Sequence, residues 1–513
     1  MDQNSNRCGK DETMNASPAI KITSVQEERG TVTVKGTATG LGRGRVEVIV
    51  NGDLDLRYIV RVDEDGAWCC RFSIPHGGQY EIEASVRDYA DFSRIRQATP
   101  DDNYFVMEDA NVWGATVTKH TDGLYYMIFS TWDTHDGFKT DWYQYSELGY
   151  AASTRLNGPY VYMGKALDAT YANTTNKKPV VWQPGEVNVF HNPTLLHSER
   201  DGKYYLYFMG TTTKGDKPAS HLQRIGVAVA DHPAGPFTVS EQPVIDVREH
   251  WEWSITANPS VIEIKQADGS YLYYAVYKGS GTYEGQRLKA TGYAPAPTPL
   301  GPFKQSDAPI MRDPLVGFSV EDCYVWYQNG RYRALAKDMT KGNFSGVTGV
   351  YSYALFESED GEHWALSEHK LAFKNEVPWV SGTKVYSHLE RSQLYVEDGV
   401  PRLICNAATV NGESPYRDNS TCNVQIPLLG VPLAVDTCTL NVTDLPEKQV
   451  NKSVLQQLTQ KAEAILAGDC AREKRKLLCS AVRAANILCK KESTARADVD
   501  FVAGRLRELL GEA

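Results

Sequence analysis

Asp201-Gly-Lys-Tyr-Tyr-Leu, residues 201–206, joins a turn dipeptide to an aromatic strand. The pattern returns at four other places: Asp122-Gly-Leu-Tyr-Tyr-Met, Asp268-Gly-Ser-Tyr-Leu-Tyr, Asn329-Gly-Arg-Tyr-Arg-Ala and Asp398-Gly-Val-Pro-Arg-Leu. The turn glycines are 79, 67, 61 and 69 residues apart, which is enough for one four-stranded sheet with its loops in each copy. Because such a period indicates a repeat architecture, we expect a five-bladed β-propeller over residues 98–445.

Each turn is preceded by a short strand that begins about five to ten residues earlier. In a β-propeller the first strand of each blade lines the central channel, so the side chains that open these strands face one shared cavity. A binding or catalytic site is therefore expected at the starts of these strands, which read Trp113-Gly-Ala-Thr-Val, His191-Asn-Pro-Thr-Leu, Asn258-Pro-Ser-Val-Ile, Glu321-Asp-Cys-Tyr-Val and Glu390-Arg-Ser-Gln-Leu.

The flanking regions have different periodicities. Residues 18–97 alternate apolar and polar side chains, as in Arg45-Val-Glu-Val-Ile-Val, with turn signals that predict an immunoglobulin-like β-sandwich. Residues 446–513 repeat apolar side chains at helical spacing and predict a three-helix bundle. Residues 1–17 are polar and are expected to be a disordered lead. The fold class is mainly β, with a propeller between a small sandwich and a small helical bundle.

The composition excludes several classes of protein. A net charge of -10, from 54 basic and 64 acidic residues, provides no basic surface for nucleic acid. The sequence contains no apolar run of the ~20 residues that a membrane span requires. Cysteine and histidine lack the spacing of a metal-thiolate site. The 29 Tyr, 10 Trp and 14 Phe residues provide the flat faces on which sugar rings stack.

Three carboxylates open first strands, namely Glu321 and Asp322 in the fourth copy and Glu390 in the fifth. In a regular strand neighbouring side chains point to opposite faces, so only one of Glu321 and Asp322 would face the channel directly. Walls such as Tyr324 and Trp326 would exclude water from that carboxyl group, which raises its pKa and keeps it protonated. Glycoside hydrolysis requires one such acid and a second carboxylate as base or nucleophile. These three residues could meet that requirement.

Other polar and aromatic residues near the strand starts are candidates for holding a sugar. A histidine there could be an acid, a hydroxyl partner or a cation ligand, and Arg grips a carboxylate or sulfate bidentately. The basic residues raise an anionic sugar as the substrate. The candidate binding residues are His191, Asn192, Arg224, Asn258, Lys278, Lys337, Arg391, Trp113 and Trp132.

In ordered combination these motifs resemble bacterial relatives of glycoside hydrolase families 43 and 117, on the following stretches: His191-Asn-Pro-Thr, Gln223-Arg-Ile-Gly-Val-Ala, Asn258-Pro, Val320-Glu-Asp-Cys-Tyr-Val-Trp, Lys337-Asp-Met and Glu390-Arg-Ser-Gln-Leu. The resemblance implies exo-acting hydrolysis by three acidic residues around the channel. The C-terminal segment resembles the FIVAR modules of extracellular carbohydrate-active enzymes.

The sequence departs from the family pattern where the first blade opens. That pattern has an aspartate base there, whereas this chain has Trp113-Gly114. Asp109, slightly upstream, and Glu147, in a long insertion, are the candidates to replace it. Asn192 and Asn258 also stand where the family often has acidic residues, so the roles of acid and base stay open.

The leading interpretation is a glycoside hydrolase acting on a plant or algal oligosaccharide or polysaccharide. The alternatives are a carbohydrate-binding protein without catalysis, and a polysaccharide lyase that uses His191 and a tyrosine on a uronic acid. No cofactor is expected to be required, although a structural calcium ion in the channel is allowed for. The polar start is typical of a cytoplasmic protein or of one whose export signal has been replaced; the resemblance favours the periplasm or the cell exterior.

Overall fold

The computed structural model describes residues 17–40, 44–134, 138–175, 177–183, 185–214, 217–348, 351–416, 420–443, 445, 450–491 and 494–512. Within these ranges the protein is mainly β. The first strands in chain order are β1 (Ala19–Glu28), β2 (Thr31–Thr39), β3 (Arg45–Val50), β4 (Asp53–Arg61), β5 (Ala67–Ser73), β6 (Gly78–Asp88), β7 (Tyr104–Val106), β8 (Ala110–Lys119), β9 (Tyr125–Asp133), β10 (Glu147–Ser153), β11 (Val161–Leu167), β12 (Val181–Trp182), β13 (Gly185–His197), β14 (Tyr204–Lys214) and β15 (Lys217–Ala230).

The remaining strands are β16 (Thr238–Val239), β17 (Ile255–Lys265), β18 (Tyr271–Tyr283), β19 (Gln286–Ala296), β20 (Val320–Gln328), β21 (Arg331–Asp338), β22 (Ser352–Ser358), β23 (Ala365–Lys374), β24 (Glu376–Trp379), β25 (Gly382–Val385), β26 (Glu390–Glu397), β27 (Val400–Thr409), β28 (Thr421–Pro427) and β29 (Val431–Val442). The helices are α1 (Phe92–Ile95), α2 (Phe138–Tyr145), α3 (Ser453–Leu466), α4 (Arg472–Lys490) and α5 (Arg496–Leu510). No helix in the described ranges has both the length and the hydropathy of a membrane span.

One compact unit comprises the described residues within 17–89 and 429–445. It contains two antiparallel sheets, ordered β1-β2-β5 and β29-β6-β3-β4, that share one hydrophobic core. Alternate side chains of β2, such as Val32 and Val34, are buried there, as the apolar–polar alternation predicts. The predicted propeller range of 98–445 includes β29, but β29 pairs with β6 and completes this unit.

The second unit, residues 90–428 and 450–513, contains five larger sheets. In chain order we call them the first to fifth sheets: β11-β10-β9-β8, β12-β13-β14-β15-β16, β17-β18-β19, β20-β21-β22-β23 and β26-β27-β28-β7. Strand β7 precedes the first sheet in sequence but pairs with β28 of the fifth. The third sheet has three strands, where four per copy were predicted.

The first strands of these sheets lie against one another in cyclic order. Strand β8 contacts β13 and β26, β13 contacts β17, β17 contacts β20, and β20 contacts β26. The five turn glycines of the sequence repeat join first to second strands, and all have φ between +72° and +89°, a region that favours glycine. The repeat in the sequence therefore corresponds to five structurally equivalent hairpins around one closed ring of strands.

Helices α3, α4 and α5 pack around their own apolar core, which also includes Val161 of β11. Asp498 of α5 accepts hydrogen bonds from Thr154 (2.5 Å) and from Arg155 Nε (2.7 Å), which follow β10. The three helices thus pack against the outer strands of the first sheet.

The core of the second sheet limits side-chain size at Gly226, because a Cβ there would lie 2.5 Å from the fully buried Trp182 ring. We expect Gly226→Ala to destabilise the protein by about 1–3 kcal/mol through overpacking. Gly504→Ala in α5 is the control, because no atom lies within 4 Å of the added methyl group. Calorimetric melting of both variants checks this. A Gly226→Ala protein that melts at or above the wild-type temperature would show that the packing here is loose.

Candidate active site

Each of the five first strands has a β-bulge near its start. The register shifts fall between Trp113 and Thr116 and at the equivalent places in the other four strands. At each bulge one residue has φ between +50° and +58°, and these residues are Gly114, Asn192, Asn258, Asp322 and Arg391. Glycine, Asn and Asp tolerate this left-handed conformation, whereas Arg391 adopts it against its intrinsic preference. The strands are therefore irregular where the sequence prediction assumed strict alternation of side chains.

The five bulge residues, which we call the axial ring, meet at the centre of the sheets. Asn192 Nδ2 donates to Asn258 Oδ1 (2.8 Å), and Asn258 Nδ2 donates to Asp322 Oδ1 (2.9 Å). The backbone N–H of Arg391 donates to Asp322 Oδ2 (3.0 Å), and its guanidinium lies 3.6 Å from Asp322 Oδ1. A Cβ at Gly114 would lie 3.3 Å from Asn192 Oδ1 and 3.4 Å from Arg391, so the ring closes around glycine.

The residues just before the ring form a second layer, which we call the outer ring: Trp113, His191, Ala257, Glu321 and Glu390. Lys278 Nζ lies 3.0 Å from Glu321 Oε1, and Lys337 forms an ion pair with Glu390. Lys278 is opposite Ala257 on the third sheet, and Lys337 is opposite Glu321 on the fourth. Each lysine therefore reaches across to the glutamate of the next sheet.

The carboxyl groups differ in exposure. The side chains of Glu321 and Glu390 are 20% and 21% exposed, whereas that of Asp322 is 4% exposed. Both oxygens of Asp322 already accept hydrogen bonds within the axial ring. Glu321 and Glu390 are therefore the carboxylates that a ligand can reach, and Asp322 positions the strands that carry them.

The charges around Glu321 decide its protonation. Burial raises the pKa of Glu321, but Lys278 and Lys337 outweigh burial, and the pKa lies below its usual value. Burial raises the pKa of Asp322, and the neighbouring Glu321 and Glu390 add to this while Arg391 opposes it. A raised pKa, as expected for a carboxyl group kept protonated by burial, is therefore found for Asp322. The expectation is wrong for Glu321, whose pKa is lowered. Burial alone lowers the pKa of Lys337, but Glu390 and Glu321 raise it above the usual value.

One wall of the site is aromatic. The buried His191 lies beside the rings of Trp132 (centroids 5.5 Å apart) and Trp142 (4.9 Å), and Trp113 packs with both tryptophans. Its Nδ1 is 2.8 Å from the hydroxyl of Ser146. Burial, with Arg391 and Lys278 nearby, lowers the pKa of His191 well below the usual value. The histidine is therefore a neutral polar group in an otherwise apolar wall.

A histidine and two tyrosines near the two glutamates were not among the predicted site residues. The Tyr416 ring is 5.8 Å from that of His388, and the Tyr351 ring is 4.8 Å from Lys337 Nζ. Burial and Lys337 lower the pKa of His388 to about 4. Burial, with Glu390 and Glu321, raises the pKa of Tyr416, which is 59% exposed. The signal available in the sequence was the place of His388 two residues before Glu390.

Three predicted site residues lie elsewhere. Asp109 is exposed, and its backbone oxygen faces Arg472 of α4. Glu147 pairs with Lys165 (2.7 Å) on β11, the outermost strand of the first sheet. Burial raises the pKa of Glu147, and Lys165 opposes this. Neither carboxylate therefore substitutes for a base at the first strand.

Arg224 is also outside the two rings. It lies on β15 of the second sheet, two strands outward from the first strand β13, and pairs with Asp246 at 2.5 Å. Burial lowers its pKa, and Asp246 opposes this. The predicted residues that the structure does bring together are Glu321, Asp322, Glu390, His191, Asn192, Asn258, Lys278, Lys337, Arg391, Trp113 and Trp132.

The residues of the axial ring do not suit a calcium ion. Calcium needs six to eight oxygen ligands, but Asn258 Oδ1 and both oxygens of Asp322 already accept hydrogen bonds. The guanidinium of Arg391 already supplies positive charge beside Asp322. A channel calcium ion at this ring is therefore disfavoured.

Asn258 links two neighbours in the axial ring, so Asn258→Leu removes the hydrogen bonds of its amide to Asn192 and Asp322 and places Leu in a left-handed conformation. We expect a loss of about 1–3 kcal/mol in stability. Asn343→Leu is the matched control, because its amide bonds Asp313 (2.8 Å) at the exposed surface. Thermal melting of both variants checks this, and equal melting temperatures would contradict a structural role for the ring.

Comparisons with known proteins give partial matches. The sequence matches no protein-family profile. A stretch of 75 residues is 36% identical to xylosidase/arabinosidase 43A of Humicola insolens; it is 15% of this chain and 19% of that protein, so the match spans about a fifth of the relative's length.

Solved structures that resemble the chain include a family 117 glycoside hydrolase of the marine bacterium Zobellia galactanivorans (TM-score 0.43, 18% identity, 65% of this chain and 89% of that chain). They also include the α-L-arabinofuranosidase of Lactobacillus brevis (TM-score 0.40, 14% identity, 63% of this chain and 93% of that chain).

Proposed function

We propose that the five sheets form a five-bladed β-propeller and that the protein is a glycoside hydrolase whose catalytic carboxylates are Glu321 and Glu390. One observation carries the proposal. The two glutamates occupy equivalent positions on adjacent first strands, each is partly exposed, and each is held by a lysine from a neighbouring sheet. Two carboxylates flanking one bond are the requirement of glycoside hydrolysis. The partial match to a xylosidase/arabinosidase supports the same reaction class.

Glu321 acts as the general acid once substrate is bound. In the free protein Lys278 and Lys337 lower its pKa against the effect of burial. An anionic group on the sugar would draw Lys278 away from Glu321, and burial would then raise the pKa and favour the protonated form. Glu390, paired with Lys337, is the second carboxylate and serves as base or nucleophile.

The substrate is an anionic plant or algal oligosaccharide or polysaccharide, which the enzyme cleaves from a chain end. Three cationic groups lie at the site: Lys278 and Lys337, which pair with the outer-ring glutamates, and Arg391 of the axial ring. The partly buried Trp142, which packs against the buried Trp113 and Trp132, and the exposed Tyr416 provide flat faces for sugar rings. No cofactor is required in this scheme. We place the protein in the periplasm or outside the cell, where such polymers are met.

A carbohydrate-binding protein without catalysis is the second candidate. It is favoured by Gly114, which leaves the first sheet without a carboxylate in the axial ring, and by the two ion pairs that already engage Glu321 and Glu390. A lyase is the third candidate, because a lowered pKa leaves His191 neutral and able to accept a proton.

Product release from a panel of neutral and anionic oligosaccharides separates these functions. We expect Glu321→Gln and Glu390→Gln each to lower the rate of hydrolysis by about 10²–10⁴-fold, because each removes a proton-transferring or nucleophilic group. Glu357→Gln is the matched control. Glu357 is on β22, in the same sheet as Glu321, and it is also partly exposed and ion-paired, with Arg333 at 3.1 Å.

Full activity in both site variants would refute the assignment of catalytic residues. Binding without product from any substrate would favour the binding protein. A product with the ultraviolet absorbance of an unsaturated uronic acid would favour the lyase.

Lys278→Met tests the control of the Glu321 pKa. Removing the lysine leaves burial less opposed, so the pKa of Glu321 rises and its protonated form persists to higher pH. With a neutral substrate, the alkaline limb of the kcat/KM profile should therefore move to higher pH. Lys203→Met, which removes an exposed pair with Asp231, is the control and should leave the limb in place. An unmoved limb in Lys278→Met would show that Glu321 is not the acid.

A further inference from the structure

A group of three potential metal ligands lies away from the axial ring. His120 and Asp122 are in the β8–β9 turn, and His232 follows β15 of the second sheet. One ligand atom from each lies within 4.8 Å of the other two. The turn is at the opposite end of β8 from Trp113, so this cluster, which we call the turn triad, is separate from the proposed active site. In the described part of the chain it is the one group of three or more such side chains at these distances.

Hydrogen bonds orient two members of the turn triad. His120 Nδ1 is 2.8 Å from the hydroxyl of Tyr204, so Nε2 is its ligand atom; the exposed Thr121 hydroxyl, 3.4 Å from Nε2, would have to give way to an ion. Asp122 Oδ1 accepts the N–H of Leu124, and Oδ2 accepts the hydroxyl of Tyr126, both at 2.8 Å. Partners of this kind fix the ring orientation of ligating histidines and the rotamer of ligating carboxylates in metal sites.

His232 faces Asp122, with Nε2 3.9 Å from Oδ2. Its Nδ1 accepts the N–H of Ala234 at 3.1 Å. Binding a metal through Nε2 requires the ring proton to be on Nδ1. Nδ1 then no longer accepts the N–H of Ala234, so this hydrogen bond breaks and the ring turns.

The turns themselves do not require histidine. The backbone oxygen of His232 accepts the N–H of Gly235, and the same bond is made by Arg155 with Gly158 and by Thr298 with Gly301. Three different side chains thus serve one kind of turn. In the equivalent turns of the second and third sheets, Glu199 and Gln266 stand where the first has His120. Among the described residues, His120 and His232 are the two histidines that pair across neighbouring sheets, with ring centroids 4.3 Å apart.

We propose that His120, Asp122 and His232 bind a divalent transition-metal ion, with Zn²⁺ as the best fit. Two imidazoles and one carboxylate are a common zinc ligand set, with solvent as the fourth ligand. All three residues are at least partly exposed, so an ion can reach them. Ligand bonds of about 2.0–2.2 Å require the side chains to approach by roughly 1 Å. The ion would link the first sheet to the second and stabilise both.

Metal titration of the full-length protein, freed of metal by a chelator, tests this proposal. We expect one Co²⁺ per chain with a d–d spectrum of nitrogen and oxygen ligands, displaced by Zn²⁺, and a higher melting temperature with Zn²⁺. His120→Gln and His232→Gln should each weaken binding by at least about tenfold. His363→Gln is the control, because His363 forms an exposed pair with Asp360 (2.7 Å) without a third ligand.

Three results would overturn the proposal: no binding to the wild-type protein, unchanged affinity in both triad variants, or thiolate-to-cobalt charge transfer, which would assign the ion to cysteine. The melting shift with Zn²⁺ in the wild-type protein keeps the test valid if a triad variant fails to fold. Hydrolysis of glycans should be the same in the His363→Gln protein and in the wild type.

Discussion

Five strands that converge on one axis can bring their side chains together only if the backbone turns those side chains inward at the same level. The left-handed bulges at Gly114, Asn192, Asn258, Asp322 and Arg391 do this. They align amides and one carboxylate into a hydrogen-bonded ring, and they leave the preceding residues as a second layer. The positions of the axial-ring and outer-ring side chains along the central axis depend on these five backbone conformations.

The site holds a balance between burial and charge. Burial would neutralise the carboxyl groups, whereas Lys278 of the third sheet and Lys337, opposite Glu321 on the fourth sheet, keep Glu321 ionised. Arg391 does the same less completely for Asp322, whose pKa stays raised. A site balanced in this way responds to any ligand that competes for the lysines. This is the physical reason for linking an anionic substrate to the protonation of Glu321.

Much of the arrangement could be predicted from the sequence. The turn glycines gave the five repeats, and the phase of the polar residues before them placed Glu321, Glu390 and His191 in one region. Side-chain alternation did not predict the bulges, because they insert a residue into a strand. Nor did it predict that Lys278 and Lys337 pair across sheets, since these contacts depend on how neighbouring sheets pack.

The remaining differences come from the course of the connections. Asp109 and Glu147 are near the first strand in sequence, but Asp109 faces Arg472 of α4, and Glu147, at the start of β10, pairs with Lys165 of β11. Strand β29 was assigned to the propeller by its position in the chain, although it pairs with β6. His388 and Tyr416 lie outside the repeat motif, and only the folded chain brings them close to the charged groups of the site.

The most direct test of the account is a crystal structure of the Glu390→Gln protein with an uncleaved anionic oligosaccharide. We expect a glycosidic oxygen within hydrogen-bond reach of the Glu321 carboxyl group, at about 2.6–3.2 Å, with the anionic group of the sugar at Lys278. An oligosaccharide bound away from Glu321, with both lysine–glutamate pairs intact, would contradict it.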